Sequence, residues 1–174
     1  MKTQKGYTLL FAVIVSVLVL SIAAFILSVS RKQAILSASA RDSVYAFYAA
    51  DSGLECGIEN LTGLTSTNPT APVSCANNAN MTVTYESGGA TAGTSTFNML
   101  TGTGSDLNAQ KTQSGAGSCA IVKVAFVVVT NGSVTSTTTT VLSRGYNIGW
   151  NTSNSTCSLT GPRKVERAIL YTQS

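Results

Sequence analysis

Histidine is missing from this chain of 174 residues, proline occurs 3 times, tryptophan once, and only 10% of the residues are charged. Without histidine there can be no Ser-His-Asp or Cys-His nucleophilic site. The 4 cysteines, Cys56, Cys75, Cys119 and Cys157, include no CxxC pair, so no zinc site is indicated. The carboxylates show no spacing that compels paired acid–base chemistry, and Gly102-Thr103-Gly104 is a lone Gly-x-Gly in a polar stretch with no helix after it. No enzyme activity and no cofactor are expected. A net charge of +4 spread over few charges gives no case for nucleic acid as a partner. The small basic group Arg163, Lys164 and Arg167 reads as a solvated strand edge rather than a DNA-binding patch. The Asn-x-Ser/Thr triplets at Asn60, Asn80, Asn131, Asn151 and Asn154 are expected by chance in a chain so rich in Asn, Ser and Thr.

Charge is also absent where its absence matters most. From Leu9 to Val29 there is no charged residue, no glycine and no proline. A helix of this length matches the hydrocarbon thickness of a bilayer. At the usual gain per aliphatic side chain its insertion is worth about 5 to 9 kcal/mol. Lys2 and Lys5 precede the run and favour a cytoplasmic N-terminus; Arg31 and Lys32 pull weakly the other way, but long polar domains translocate largely regardless of such charges. A secretory signal would place a small-residue cleavage site after the apolar run, whereas Ser28-Val29-Ser30 continues straight into Arg31-Lys32. The residues after the run are expected outside the cytoplasm and suffice for one domain with a modest core. An even number of cysteines there allows three disulfide connectivities. Sequence neighbours favour Cys56–Cys75 and Cys119–Cys157, with loops worth about 3 and 4 kcal/mol in the chain-entropy model.

The helix is expected to continue past the membrane edge, because residues 31–60 lack proline and are rich in helix formers. Phe47, Ala50, Leu54, Ile58 and Leu61 recur at helical spacing and predict one apolar stripe, while Asp51, Glu55 and Glu59 form a second stripe that reads as a solvated face or, more sharply, as an inter-subunit contact with Arg31 or Arg41 of a neighbour. Gly53 and Gly57 each cost such a helix about 1 kcal/mol relative to alanine, which predicts a bend or close packing against a sheet.

Beyond residue 60 the texture becomes that of strands and turns. A strand is predicted over 80–86, a Gly-rich turn over 87–95, a short strand over 96–100 and a polar loop over 106–118. The strongest hairpin signal is Asn131-Gly132 between arms 120–130 and 133–146, since both turn positions must tolerate positive φ. Val122, Val124, Phe126 and Val128 share the face expected to cover the helix, and Thr135, Thr137 and Thr139 are assigned to a solvated face. A loop over 147–162 and a final strand over 163–171 complete an α+β arrangement, a long N-terminal helix packed on an antiparallel sheet of about four strands.

Two segments carry a family resemblance. Lys5-Gly6-Tyr7-Thr8-Leu9 ahead of the apolar run resembles the leader of type IV pilins and pseudopilins, and Ala46-Phe47-Tyr48-Ala49-Ala50-Asp51-Ser52-Gly53-Leu54-Glu55 resembles the AF-x-A-A-E-(A/S)-G segment of PilX-like minor pilins, with Asp51 in place of the usual glutamate. The resemblance covers the first sixty residues well and the remainder loosely. It implies a leader over 1–6, a transmembrane and filament-core helix over 7–29 and an extracytoplasmic pilin domain over 30–174 that includes the second half of the helix. It further implies a prepilin peptidase that cleaves after Gly6 and methylates the amine of Tyr7. The subunit would wait as a single-pass protein in the cytoplasmic membrane, N-terminus inside, and pass by way of an assembly platform into an extracellular pilus with other pilin subunits. Ala12 with Ser16, and Ala24 with Ser28, supply small-xxx-small pairs for helix packing. The fifth position after the cleavage site, usually glutamate in major pilins, is Phe11, which favours a minor pilin. The alternatives are a minor pseudopilin of a type II secretion system and a membrane-anchored surface-binding module that does not assemble. The absence of acidic residues between Ser143 and Pro162 counts against the calcium loop that pseudopilins often carry.

Overall fold

The computed structural model describes residues 5–65, 67–75, 78–89, 91–101, 117–131, 133–151, 156–157 and 164–174. Outside the described residues lie most of the leader, Gly102-Thr103-Gly104, most of the loop expected over 106–118, Gly132, Asn154 and Arg163. The elements run α1 (Lys5–Glu59), β1 (Val73–Cys75), β2 (Asn78–Met81), β3 (Val83–Ser87), β4 (Ala92–Thr101), β5 (Ser118–Asn131), β6 (Val134–Tyr146), β7 (Trp150–Asn151), β8 (Thr156–Cys157) and β9 (Glu166–Gln173). The chain divides into two compact units, Met1–Arg41 and Asp42–Ser174.

The first unit is helical from Lys5 onward. Its large apolar side chains from Tyr7 on are exposed, from Val15 at 40% to Tyr7 at 74%, except for Val29, which is half-buried. Helix propensity and the lack of glycine or proline over residues 9–30 account for the conformation. This is the one helix among the described residues long and apolar enough to cross a membrane.

The second unit is α+β. The remainder of α1 packs on a five-stranded antiparallel sheet of order β3-β4-β5-β6-β9, flanked by the two-stranded ribbons β1-β2 and β7-β8. The expected strand count was about four; the main sheet has five because all five segments read as strands enter it, the 80–86 segment giving up Asn80 and Met81 to β2, which pairs with β1 in a ribbon. β4 also starts earlier than expected, at Ala92, and so takes in Gly93 of the segment read as a turn, and β9 begins at Glu166 and runs on to Gln173. The β7-β8 ribbon occupies part of the segment 147–162 read as a loop.

The hairpin is present with a different register. Asn131 pairs with Val134, so the connection is residues 132–133 rather than Asn131-Gly132. This shift of two positions along the ladder leaves every side chain on the same face, and alternation alone therefore could not resolve it. It places Val124 opposite Val141 and Ala120 opposite Gly145. Bulky residues thus meet at the middle of the sheet and small ones where the helix comes nearest. The same register corrects the reading of the threonines. Thr139 and Thr137 lie opposite Phe126 and Val128, on the core-facing side. Thr137 is nevertheless exposed and Thr139 half-buried, because the adjoining strands stop: β4 begins opposite Val127 and β9 ends opposite Thr139.

Two cores result. On the helix side Phe97, Val122, Val124, Phe126 and Val141 are buried with Leu64, Val73 and Met81. Cys56 and Cys75 form a disulfide with Cα atoms 5.6 Å apart, tying the last turns of α1 to β1. Asn60 Nδ2 donates to the Cys56 carbonyl at 2.9 Å and lies 3.1 Å from Cys75 Sγ, which closes the helix end. Ser95 Oγ donates to the Pro69 carbonyl at 2.6 Å and holds the intervening loop on the sheet. On the opposite face Leu100, Cys119, Tyr146 and Cys157 form a smaller core, in which the Cys119–Cys157 disulfide fastens the β7-β8 ribbon.

Candidate assembly site

Which face of α1 the sheet takes decides what is left for a partner. The apolar stripe Phe47, Ala50, Leu54, Ile58 and Leu61 is not the buried face: of these Ala50 is buried, Leu54 and Leu61 are half-buried, and Phe47 and Ile58 are exposed. The sheet packs instead on Ala46, Ala49, Ala50, Gly53, Cys56 and Gly57. A Cβ added at Gly57 would lie 2.6 Å from Val141 Cγ1 and 3.0 Å from Val122 Cγ1, and one at Gly53 would lie 2.8 Å from Ala120 Cβ and press on Ser143 Oγ. At Gly145 of β6 a Cβ would run into the backbone of Ala46, Ala49 and Ala50. Helix and sheet are therefore in near backbone contact, and small residues win the buried face because nothing larger fits. The two helix glycines are explained by close packing, which outweighs their propensity cost. Ser143 Oγ is buried beneath this contact with no hydrogen-bond partner among the described residues.

With the small residues turned inward, the large ones face out. Val44, Tyr45, Phe47 and Tyr48 are each about half exposed or more, and the Phe47 and Tyr48 rings meet edge-on with centroids 6.2 Å apart. Asp51 is half-buried, and Glu55 and Glu59 are exposed. On the wheel of the helix Val44, Phe47, Tyr48, Asp51 and Glu55 stand at i, i+3, i+4, i+7 and i+11, on one side. The aromatic residues were readable as part of this face only once the glycine and alanine stripe was recognised as the buried one. At its flank Arg167 of β9 donates through Nε and Nη2 to Ser43 Oγ, at 3.1 and 2.8 Å.

In the first unit, the bond expected to be cleaved, Gly6–Tyr7, lies within the first turns of α1, and Tyr7 is exposed. Phe11, Ala12, Ser16, Ala24 and Ser28 are all exposed. Ser16 Oγ donates to the Ala12 carbonyl at 2.7 Å, so its hydroxyl is satisfied within its own helix. That arrangement leaves no open donor for a hydrocarbon environment to penalise.

The far end of the sheet holds a compact polar group. Tyr146 is buried, pairs with Glu166 across the ladder and has the Lys164 ammonium 4.9 Å from its ring centroid. Arg144 Nη1 lies 3.7 Å from Glu166 Oε1. Burial first, then the Glu166 carboxylate, push the Tyr146 phenol above its ordinary range, partly offset by Arg144. These groups brace the β6–β9 edge. The chain matches no family model, no curated protein and no solved structure.

Proposed function

We propose that this chain is a structural subunit of an extracellular filament of the type IV pilin kind, a minor subunit rather than the bulk component. One observation carries the reading: a single helix, α1, exposes the large apolar side chains of its first unit, half-buried Val29 apart, and packs by its last turns on a disulfide-braced sheet. An anchor needs the first part, but not the second with its outward aromatic and acidic face. A filament subunit uses both. In this reading the subunit waits in the cytoplasmic membrane until a peptidase cuts after Gly6, and the apolar helix then moves from lipid into a bundle of like helices. The exchange is nearly neutral because lipid and bundle are both apolar, so close packing at Ala12, Ser16, Ala24 and Ser28 can direct it. The energy for extraction comes from an assembly machinery outside this chain, and other pilin subunits are its partners.

The test is the mass of the N-terminus in a cell that has prepilin peptidase activity. A terminus at Tyr7 carrying one methyl group, together with recovery of the chain in sheared surface material, is the expected result. An intact Met1 sinks the proposal. A processed chain found only beside secretion components would move it to a pseudopilus.

A further inference from the structure

In the second unit an open sheet edge lies beside an apolar flank of α1. β9 ends the strand order and, among the described residues, pairs with β6 alone, so the backbone groups on its outer side have no ladder partner. Natural sheets blunt such an edge with proline, with charge or by keeping the strand short. β9 runs for 8 residues, and from Ala168 to Gln173 it has neither proline nor charge. The charges at its start are engaged, Glu166 by Arg144 and Arg167 by Ser43.

The register decides which side chains of β9 turn towards the helix. Val141 and Ser143 lie under Gly57 and Gly53, and their ladder partners are Tyr171 and Ile169. Directly paired residues share a face. The bond from Arg167 to Ser43 fixes the flank of α1 that stands above this edge, while Cys56 ties the other flank to β1. Phe47, Leu54 and Ile58 follow Ser43 at i+4, i+11 and i+15. The apolar stripe read from the sequence therefore lines the edge of the sheet rather than its middle. Phe47, Ile58 and Tyr171 are exposed, and Leu54 and Ile169 are half-buried. Asp51 and Glu55 come next round the wheel, and no Lys or Arg occurs from Asp42 to Glu59.

We propose that this edge is a docking site for an extended segment of another protein, added as a further strand beside β9. An open ladder edge selects an extended backbone, and the side chains around it select the sequence. Alternate residues of the incoming strand lie beneath Phe47, Leu54 and Ile58 and are apolar. One residue of that row is Lys or Arg, whose stem follows the apolar flank and whose head reaches Asp51 or Glu55. A second copy does not supply such a strand: β3, at the other end of the sheet, has no basic residue, and the one basic residue of β9 is engaged by Ser43. The site goes beyond the filament reading and does not rest on it.

The experiment uses the full chain in detergent micelles and the peptide Thr-Val-Thr-Lys-Thr-Val-Thr-Val, blocked at both ends. Its valines and lysine form the row turned to α1. Binding should slow amide exchange in residues 168–173, which adhesion to a surface would not do. Proline in place of the third threonine should weaken binding at least about tenfold by removing the ladder. Glutamate in place of lysine should weaken it about tenfold, and Asp51→Lys with Glu55→Lys in the protein should reverse that preference. Equal binding of the proline peptide, no slowing in β9, or indifference to the charge swap overturns the proposal. So does a dimer of the chain alone that Leu170→Lys dissolves, since the occupant would then be a second copy. None of these outcomes bears on processing at Gly6, so the filament reading stands or falls separately.

Discussion

The same helix is treated in opposite ways in the two units of the molecule. Up to Arg41 its large apolar side chains, half-buried Val29 apart, are exposed; after Asp42 one face disappears beneath a sheet, and the residues that vanish are small. In the first stretch the sequence keeps an apolar character without a shape constraint, since no close backbone approach fixes the size of its side chains. In the second side-chain identity is set by shape, because backbone comes within van der Waals reach of backbone and each added carbon must displace something. The lesson is that hydrophobicity locates the first region and volume locates the second.

The sharpest way to break this contrast is at Gly145. Gly145→Val should cost about 5 kcal/mol or abolish the native fold, because its Cβ meets the Ala46 carbonyl and the Ala50 amide rather than a side chain that could swing aside. Urea unfolding of the full chain in micelles, followed by near-UV circular dichroism, reads the loss. A substitution of equal size in the first unit, Ala12→Val, should leave the midpoint unmoved. Wild-type stability in the Gly145 variant would show that helix and sheet are not in close contact.

Next in size come the disulfides, which belong to the second unit alone. Removing Cys119–Cys157, with a sequence separation of 38, should cost about 4 kcal/mol, and removing Cys56–Cys75, with 19, about 3 kcal/mol. Paired serine variants separate the two. The Cys56–Cys75 variant should in addition speed amide exchange in the last turn of α1, which this bond and Asn60 hold.

The converse test strikes the first unit. Leu18→Asp should oppose membrane insertion by about 3 kcal/mol while leaving the urea midpoint of the second unit where it was. Partition between membrane and soluble fractions reads the first quantity. A stability loss in the folded unit would mean that the exposed helix surface contributes to the core after all.

These contrasts also explain how far the fold could be read from residues. The long helix, its apolar first part and the antiparallel sheet behind it were legible, because apolar runs and strand alternation are local signals. The buried face was legible only in part, through the close packing expected at Gly53 and Gly57. Phe47 and Ile58 carry the apolar periodicity, yet Gly53 and Gly57 occupy the contact, and periodicity counts hydrophobic residues without asking whether they fit. Gly145 gave no sign of its role either, since its importance lies in what sits across from it. The hairpin register escaped for a related reason: a slip of two keeps all faces, and only the pairing of Ala120 with Gly145 under the helix selects one alternative. The outward face of Val44, Phe47 and Tyr48 became visible by elimination, once the sheet had taken the other side.

The smallest effect concerns pH and again separates the units. Tyr146 is buried beside Glu166, and both influences favour its neutral form, so its folded-state pKa lies above the ordinary value of 10.0. A folded pKa raised in this way contributes stability that is fully present below the unfolded value and is lost as pH rises through it towards the folded value. The domain should therefore be indifferent to pH between neutrality and about pH 9 on this account, and should weaken above about pH 10. Tyr146→Phe keeps the ring in the outer core with Leu100 and Cys119 but has no proton to lose, so its stability curve should be flatter in the alkaline range. Helicity of residues 7–29 should follow neither curve, because no group that loses its proton in this range is buried there. Alkaline unfolding of the two chains by near-UV circular dichroism, with far-UV signal as the monitor of the helix, decides it: parallel curves for Tyr146 and Phe would show that the phenol stays solvated and that the β6–β9 edge is looser than its hydrogen-bonded pairing indicates.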